Sequence, residues 1–121
     1  MVRILILEDD AVLRRQLGRL FAARGCEVVE TASVAGFVAA AADRPYDACL
    51  LDLWLPDGNG LDAWERVRLV QGGALAVVMS GEPTAEAHAR ARALGCTDLL
   101  AKPFDVAALL AAYAPLWLAA T

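Results

Sequence analysis

Ile4–Asp10 reads ILILEDD: four apolar residues end, without a spacer, in three adjacent carboxylates. Two other stretches share its continuous apolar character, ACLLDL at 48–53 and LAVVMS at 75–80. Runs this short and this apolar suit parallel strands buried on both faces better than alternating antiparallel ones. With the first run taken as Val2–Leu7, and β-prone runs at Glu27–Thr31 and Asp98–Ala101, five strands are expected. Segments of helical period follow each strand, at Ala11–Arg24, Ser33–Ala42, Leu61–Val70, Ala85–Ala93 and Asp105–Ala120. Strict alternation with right-handed crossovers predicts an α/β fold, a doubly wound parallel sheet with helices on both faces.

Local signals agree with these boundaries. Val12, Leu13, Gln16, Leu17, Leu20 and Phe21 form one face of the first helix, with Arg14, Arg15, Arg19 and Arg24 elsewhere. Ser33 and Asp105 stand where N-caps belong, and Gly25 and Gly95 where helices stop.

The chain has 121 residues, 59% of them hydrophobic and 21% charged, which predicts one folded domain over residues 1–121. The net charge is −4 and there is no basic run, so this domain is not expected to grip nucleic acid itself. Cys26, Cys49 and Cys96 are scattered, odd in number and without a C-x-x-C pair. That argues against a disulfide framework or zinc site and favours a reducing, cytoplasmic setting. No secretory leader is read at the start, and the longest apolar run, 106–120, is too short to span a bilayer and contains Pro115.

In a doubly wound sheet, ligands bind at the edge where the strands' C-terminal ends meet. The residues expected there are Glu8, Asp9 and Asp10, Asp52, Ser80 and Lys102; Thr31, at the end of the second run, is uninformative. Singly they are ordinary: Asp10 suits a helix cap as well as a site, and a lone lysine is usually a surface charge. Jointly, clustered carboxylates make a hard-cation site for Mg²⁺ bridging to phosphate. Asp52 then suits a carboxylate nucleophile on phosphorus, with Ser80 and Lys102 binding phosphoryl oxygens.

ILILEDDAVLR, DACLLDLWLPDGNGLD, VVMSGE and GCTDLLAKPF together resemble the receiver domain of two-component response regulators, over essentially the whole chain. The resemblance implies a flavodoxin-like (CheY-like) sheet of order 2-1-3-4-5 flanked by five helices. It implies that Asp52 accepts a phosphoryl group from a sensor histidine kinase or a small phosphodonor. Glu8, Asp9, Asp52 and the backbone carbonyl of Trp54 would hold Mg²⁺, with Mn²⁺ as a substitute. Ser80 is the implied switch hydroxyl, Gly81 its small neighbour, and Lys102 the phosphoryl-binding lysine, with Lys102–Pro103 cis. Asp10 matches no ligand and is assigned to capping the first helix. Such a domain is a switch rather than a turnover enzyme: it accepts phosphoryl and slowly loses it again. It is expected to change partner affinity at its fourth helix, fifth strand and fifth helix, toward a homodimer or an effector.

The sequence also departs from the family. Leu99 replaces the Tyr or Phe that most receivers carry three residues before the lysine. Trp54 and Glu82 hold the two variable positions beside the site, and Trp54 either shields an acyl phosphate or packs on a loop. The last helix is apolar nearly all round, so an exposed apolar patch is expected; either alanine serves there only as a good helix former, or the face dimerises or receives an effector, with Leu110, Tyr113, Leu116 and Trp117 as candidates. His88 is expected to be exposed and not a phosphohistidine. Leu99 favours an alternative, an interaction module independent of phosphorylation, which the intact Glu8, Asp9, Asp52, Ser80 and Lys102 set opposes. An aspartyl-phosphate hydrolase is disfavoured because Trp54, not an acid, lies two residues after Asp52.

Overall fold

A computed structural model describes residues 1–119. In chain order the elements are β1 (Arg3–Leu7), α1 (Ala11–Ala22), β2 (Glu27–Thr31), α2 (Val34–Asp43) and β3 (Ala48–Asp52). There follow the short strands β4 (Trp54–Leu55) and β5 (Gly58–Asn59), then α3 (Gly60–Val67), β6 (Leu75–Ser80) and α4 (Ala85–Ala93). β7 (Asp98–Ala101), α5 (Val106–Ala112) and α6 (Ala114–Ala119) complete the order. The main sheet is parallel, ordered β2-β1-β3-β6-β7, and β4 and β5 pair as a small antiparallel ribbon.

Continuous apolar strands fill both faces, since successive side chains point to opposite sides. Leu5, Leu7, Cys49, Leu51 and Val78 pack with Phe37, Leu61, Trp64 and Leu94 from α2, α3 and the end of α4. Ile4, Ile6, Leu50, Val77 and Met79 pack with Leu17 and Phe21 of α1, Leu109 of α5 and Tyr113. Each fully buried large apolar side chain contributes about 1.5–3 kcal/mol, so this two-sided core is the main source of stability.

Asp10, Ser33 and Asp105 cap their helices with side-chain oxygens, and Gly25 and Gly95 take positive φ (81° and 78°) at the ends of α1 and α4. Asn59 and Thr84 cap α3 and α4 in the same way. α1 stops at Ala22 rather than Arg24, because Arg24 and Gly25 donate three residues back, to Phe21 and Ala22, and tighten the turn. α3 stops at Val67 rather than Val70. Beyond it, buried Gln71 donates to the carbonyls of Ala41 and Arg44 (both 2.7 Å) and accepts from the Tyr46 N–H (2.8 Å), which holds the chain under α2.

The largest departure is the last helix, which breaks at Tyr113 into α5 and α6. Pro115 has no N–H to give the Ala111 carbonyl, and its ring crowds that oxygen. The expected end at Ala120 lies outside the described residues. The four apolar residues expected on an exposed face are turned inward. Tyr113 is fully buried and donates its hydroxyl to the Cys49 carbonyl at 2.7 Å. Trp117 stacks on Phe21 beneath the Arg24 guanidinium, and Leu110 and Leu116 are half-buried on the same core. The helix must cover Ile6, Leu50 and Met79, so Val106, Ala107, Ala108 and Ala111 take its exposed side. Among the described residues, no helix is long and apolar enough to cross a membrane.

Candidate functional site

β1, β3, β6 and β7 deliver their last residues to one edge. Leu7 pairs with Leu51, Asp52 with Met79, and Ser80 with Ala101, so Glu8 comes level with Asp52. Lys102 follows directly, its N–H donating to the Ser80 carbonyl at 2.8 Å, and the Lys102–Pro103 peptide is cis.

The acidic turn after β1 is tied from several sides. The Glu8 N–H donates to the Thr31 carbonyl at 3.0 Å, and the Thr31 hydroxyl donates to the Ile6 carbonyl at 2.6 Å. Thr31 therefore splices the ends of β1 and β2 next to the acids, a role its position alone did not disclose. Asp10 accepts from the Val12 and Leu13 N–H groups at 2.9 and 3.2 Å, so its carboxylate is occupied in capping α1. The Asp10 N–H in turn donates to Glu8 Oε2 at 3.2 Å.

Asp52 ends β3, and the chain after it must double back through the β4–β5 ribbon. Gly60 permits this. Its N–H donates to the Leu53 carbonyl at 2.8 Å, and a Cβ there would stand 2.0 Å from the Asp52 carbonyl oxygen. At the ribbon's tip, the Asp57 carboxylate accepts from the Val34 and Ala35 N–H groups at 2.9 and 3.2 Å, fastening the tip to the start of α2. Those two donors, Val34 first, hold the Asp57 pKa below the usual carboxylate value.

Within this frame Glu8 (1% exposed) and Asp52 (6% exposed) are buried, whereas Asp9 is exposed. The Lys102 ammonium reaches both buried acids, at 2.5 Å from Glu8 Oε1 and 3.1 Å from Asp52 Oδ2. Burial pushes the Glu8 pKa up to about 7, the Asp52 charge adds to the rise, and the Lys102 and Asp10 hydrogen bonds restrain it. For Lys102, burial works against the ammonium, but Glu8 and Asp52 outweigh it and raise its pKa above the usual value.

Glu8, Asp9 and Asp52 each offer a carboxylate oxygen, all within 4.8 Å of one another. An all-oxygen, all-anionic donor set suits a hard divalent cation. The raised Glu8 pKa points the same way, since burial first and the Asp52 charge second disfavour an ionised Glu8 that a cation would stabilise. The residues present therefore fit a divalent metal.

Ser80 stands at the same edge, fully buried, with its hydroxyl oxygen accepting from the Glu82 N–H at 3.1 Å. Gly81 is exposed, and a Cβ there would meet nothing within 4 Å, so the approach beside Ser80 is open. Trp54 is 64% exposed and lines a cavity of about 240 Å³ with Leu53, Asn59 and Glu82, so its ring is not used in core packing. Leu99 is buried in the core that includes Ala91 and Leu94. His88 is exposed. Cys49 and Cys96 are held as thiols, burial pushing their pKa values up to about 12 and about 11. A larger apolar groove of about 570 Å³ runs from Lys102 and Phe104 along Leu13, Leu17 and Leu20.

Comparison with known proteins gives a consistent result. The family model described as "Response regulator receiver domain" matches residues 4–114. The acid tolerance regulatory protein ActR of Rhizobium meliloti (strain 1021) is 38% identical over 109 residues, covering 90% of this chain and 56% of that protein. This chain thus spans about half the length of that curated relative. Among solved structures, a response regulator from Burkholderia pseudomallei with a phosphorylated aspartic acid, calcium ion and citrate superposes with a TM-score of 0.87. It is 25% identical, and the match covers 93% of this chain and 66% of that one. The non-phosphorylated HemR receiver domain from Leptospira biflexa gives a TM-score of 0.84 at 27% identity, covering 95% of this chain and 93% of that one.

Proposed function

This chain belongs to the response regulator receiver domain family, and we propose that Asp52 is its phosphoacceptor. The observation that carries this reading is the convergence on Asp52 of Lys102 Nζ, at 3.1 Å, and of Glu8 and Asp9 carboxylate oxygens, within 4.8 Å. The phosphorylated aspartic acid in the Burkholderia relative supports it.

An Asp52 carboxylate oxygen forms a bond to phosphorus as the P–N bond of a sensor kinase's phosphohistidine breaks. The bond electrons stay with the imidazole, which leaves neutral once its other ring nitrogen carries a proton. Glu8, Asp9, Asp52 and the Trp54 carbonyl would hold Mg²⁺, or Mn²⁺ in its place, which would neutralise charge on the phosphoryl oxygens. Lys102, already bridging Glu8 and Asp52, binds one phosphoryl oxygen of the product, and the Ser80 hydroxyl, an acceptor from the Glu82 N–H before phosphorylation, turns to donate to another. Gly81 leaves the donor's path open. The resulting acyl phosphate hydrolyses slowly, and the domain acts as a cytoplasmic switch rather than a turnover enzyme.

The switched surface lies around α4, β7 and α5, which an effector domain or a second copy reads. Leu99 is part of the core beneath α4, so the shift of Ser80 reaches that surface through aliphatic packing rather than through a swinging aromatic ring. Phosphoramidate carries the same P–N linkage as phosphohistidine and tests the chemistry. With Mg²⁺, intact mass should show one added phosphoryl group per chain, abolished by chelation; an unchanged mass contradicts the proposal.

A further inference from the structure

We infer that Arg14, held by Glu30 across the notch at Gly18, is a positioning residue that fixes the acidic turn in its cation-binding shape. Arg14 Nη1 donates to the Glu8 carbonyl at 3.0 Å and lies 3.4 Å from the Asp9 carbonyl. These are the backbone carbonyls of the two acids that the turn after β1 gives to the cation site, Glu8 and Asp9. The half-buried Arg14 side chain is anchored at its other end, with Nε 3.5 Å from Glu30 Oε1 on β2.

Gly18 makes the anchor possible. A Cβ at Gly18 would stand 2.7 Å from Glu30 Oε2, so a larger residue must shift the flexible carboxylate whose other oxygen holds Arg14. One chain of contacts thus runs from a glycine in the middle of α1, through an acid on β2, to the carbonyls flanking the Glu8 and Asp9 side chains. A planar guanidinium can serve two acceptors and an ion pair at once, which a lysine ammonium does not do in the same fixed geometry.

The inference rests on the reading of Glu8, Asp9 and Asp52 as a cation site, and the sign of one effect separates positioning from bulk electrostatics. Removing a positive charge beside an acidic cluster should tighten a cation on Coulombic grounds alone. Loss of a positioning contact should weaken it, by about tenfold on the scale typical of groups that orient metal ligands.

The test is Mg²⁺ titration followed by calorimetry for the wild type, Arg14→Ala, Arg14→Lys and Gly18→Ala, with the thermal midpoint of each recorded without metal. The expected result is a rise in Kd of about tenfold in Arg14→Ala, no rescue in the charge-preserving Arg14→Lys, and a smaller rise in Gly18→Ala. Gly18→Ala changes no charge and improves helix propensity, so weaker binding there cannot come from an unfolded α1. An unchanged or lower Kd in Arg14→Ala, or full rescue by Arg14→Lys, overturns the positioning role alone. Absence of saturable Mg²⁺ binding by the wild type overturns the cation site itself and this inference with it.

Discussion

Lys102 Nζ and Glu8 Oε1 lie 2.5 Å apart, although Glu8 is almost wholly removed from solvent. One ammonium is shared between Glu8 and Asp52, so the site without a cation holds more negative charge than it can neutralise. This imbalance sets how the protein should respond to pH and to Mg²⁺.

The Glu8 pKa is raised by burial to about 7 in the folded chain, from 4.5 as an unperturbed group. A raised carboxyl pKa means that the folded state binds the proton more tightly. The resulting stability is full below the unfolded pKa and is lost as pH rises through the folded value. Without divalent cations, Glu8 should therefore lower stability by roughly 1–3 kcal/mol between about pH 4.5 and pH 7. Urea unfolding of the wild type and Glu8→Gln across that window measures it, and equal pH slopes for the two proteins would refute it. Mg²⁺ competes with that proton, so its Kd should rise about tenfold per pH unit below pH 7. A Kd that stays flat from pH 8 to pH 5.5 would argue against Glu8 as a ligand.

Gly60 allows the return of the chain past Asp52. In Gly60→Ala the new Cβ would overlap the Asp52 carbonyl at 2.0 Å, a backbone contact that no rotamer change relieves. Overpacking of this kind costs about 1–3 kcal/mol, and here the displaced atoms belong to the acceptor residue itself. Both the unfolding midpoint and the rate of phosphorylation by acetyl phosphate should drop; an Ala variant with wild-type values of both would show that the ribbon moves away without disturbing Asp52.

Trp54 has its side chain free of the core, while its backbone N–H donates to Asp52 Oδ1 at 3.5 Å. If its indole screens the acyl phosphate from water, Trp54→Asn should shorten the phosphorylated half-life several-fold, a modest change on the barrier scale of about 1.4 kcal/mol per tenfold. Decay followed by loss of the phosphorylated mass decides the matter, and a half-life that lengthens or stays the same rejects shielding.

The alternation of short apolar runs with helical segments was readable because both faces of every central strand are covered, which leaves no polar residue to blur the pattern. The acidic edge was equally readable, since strand direction alone brings Glu8, Asp52, Ser80 and Lys102 to one side. What escaped depends on distances that no spacing encodes. Arg14 sits outside the apolar face of α1 and looks like any solvated arginine until Glu8 and Asp9 turn their carbonyls toward it. Thr31 ends an unremarkable strand, and its hydroxyl matters only through parallel pairing with β1. Gly60 lies in an LPDGNG run that signals a turn but not how close the turn passes to Asp52. The last helix was legible only in part: its exposed side, Val106, Ala107, Ala108 and Ala111, is apolar as expected, but Pro115 breaks the helix and Tyr113 and Trp117 fold onto Phe21 instead.

The central claim, that Asp52 accepts the phosphoryl group, is tested most directly by locating the modification. After incubation with acetyl phosphate and Mg²⁺, reduction by borohydride converts an aspartyl phosphate to homoserine, and peptide mass mapping finds the altered residue. One homoserine at position 52, absent without Mg²⁺ and absent in Asp52→Ala, is the predicted result. A modification at any other residue, or consumption of the donor with Asp52 intact, would contradict it.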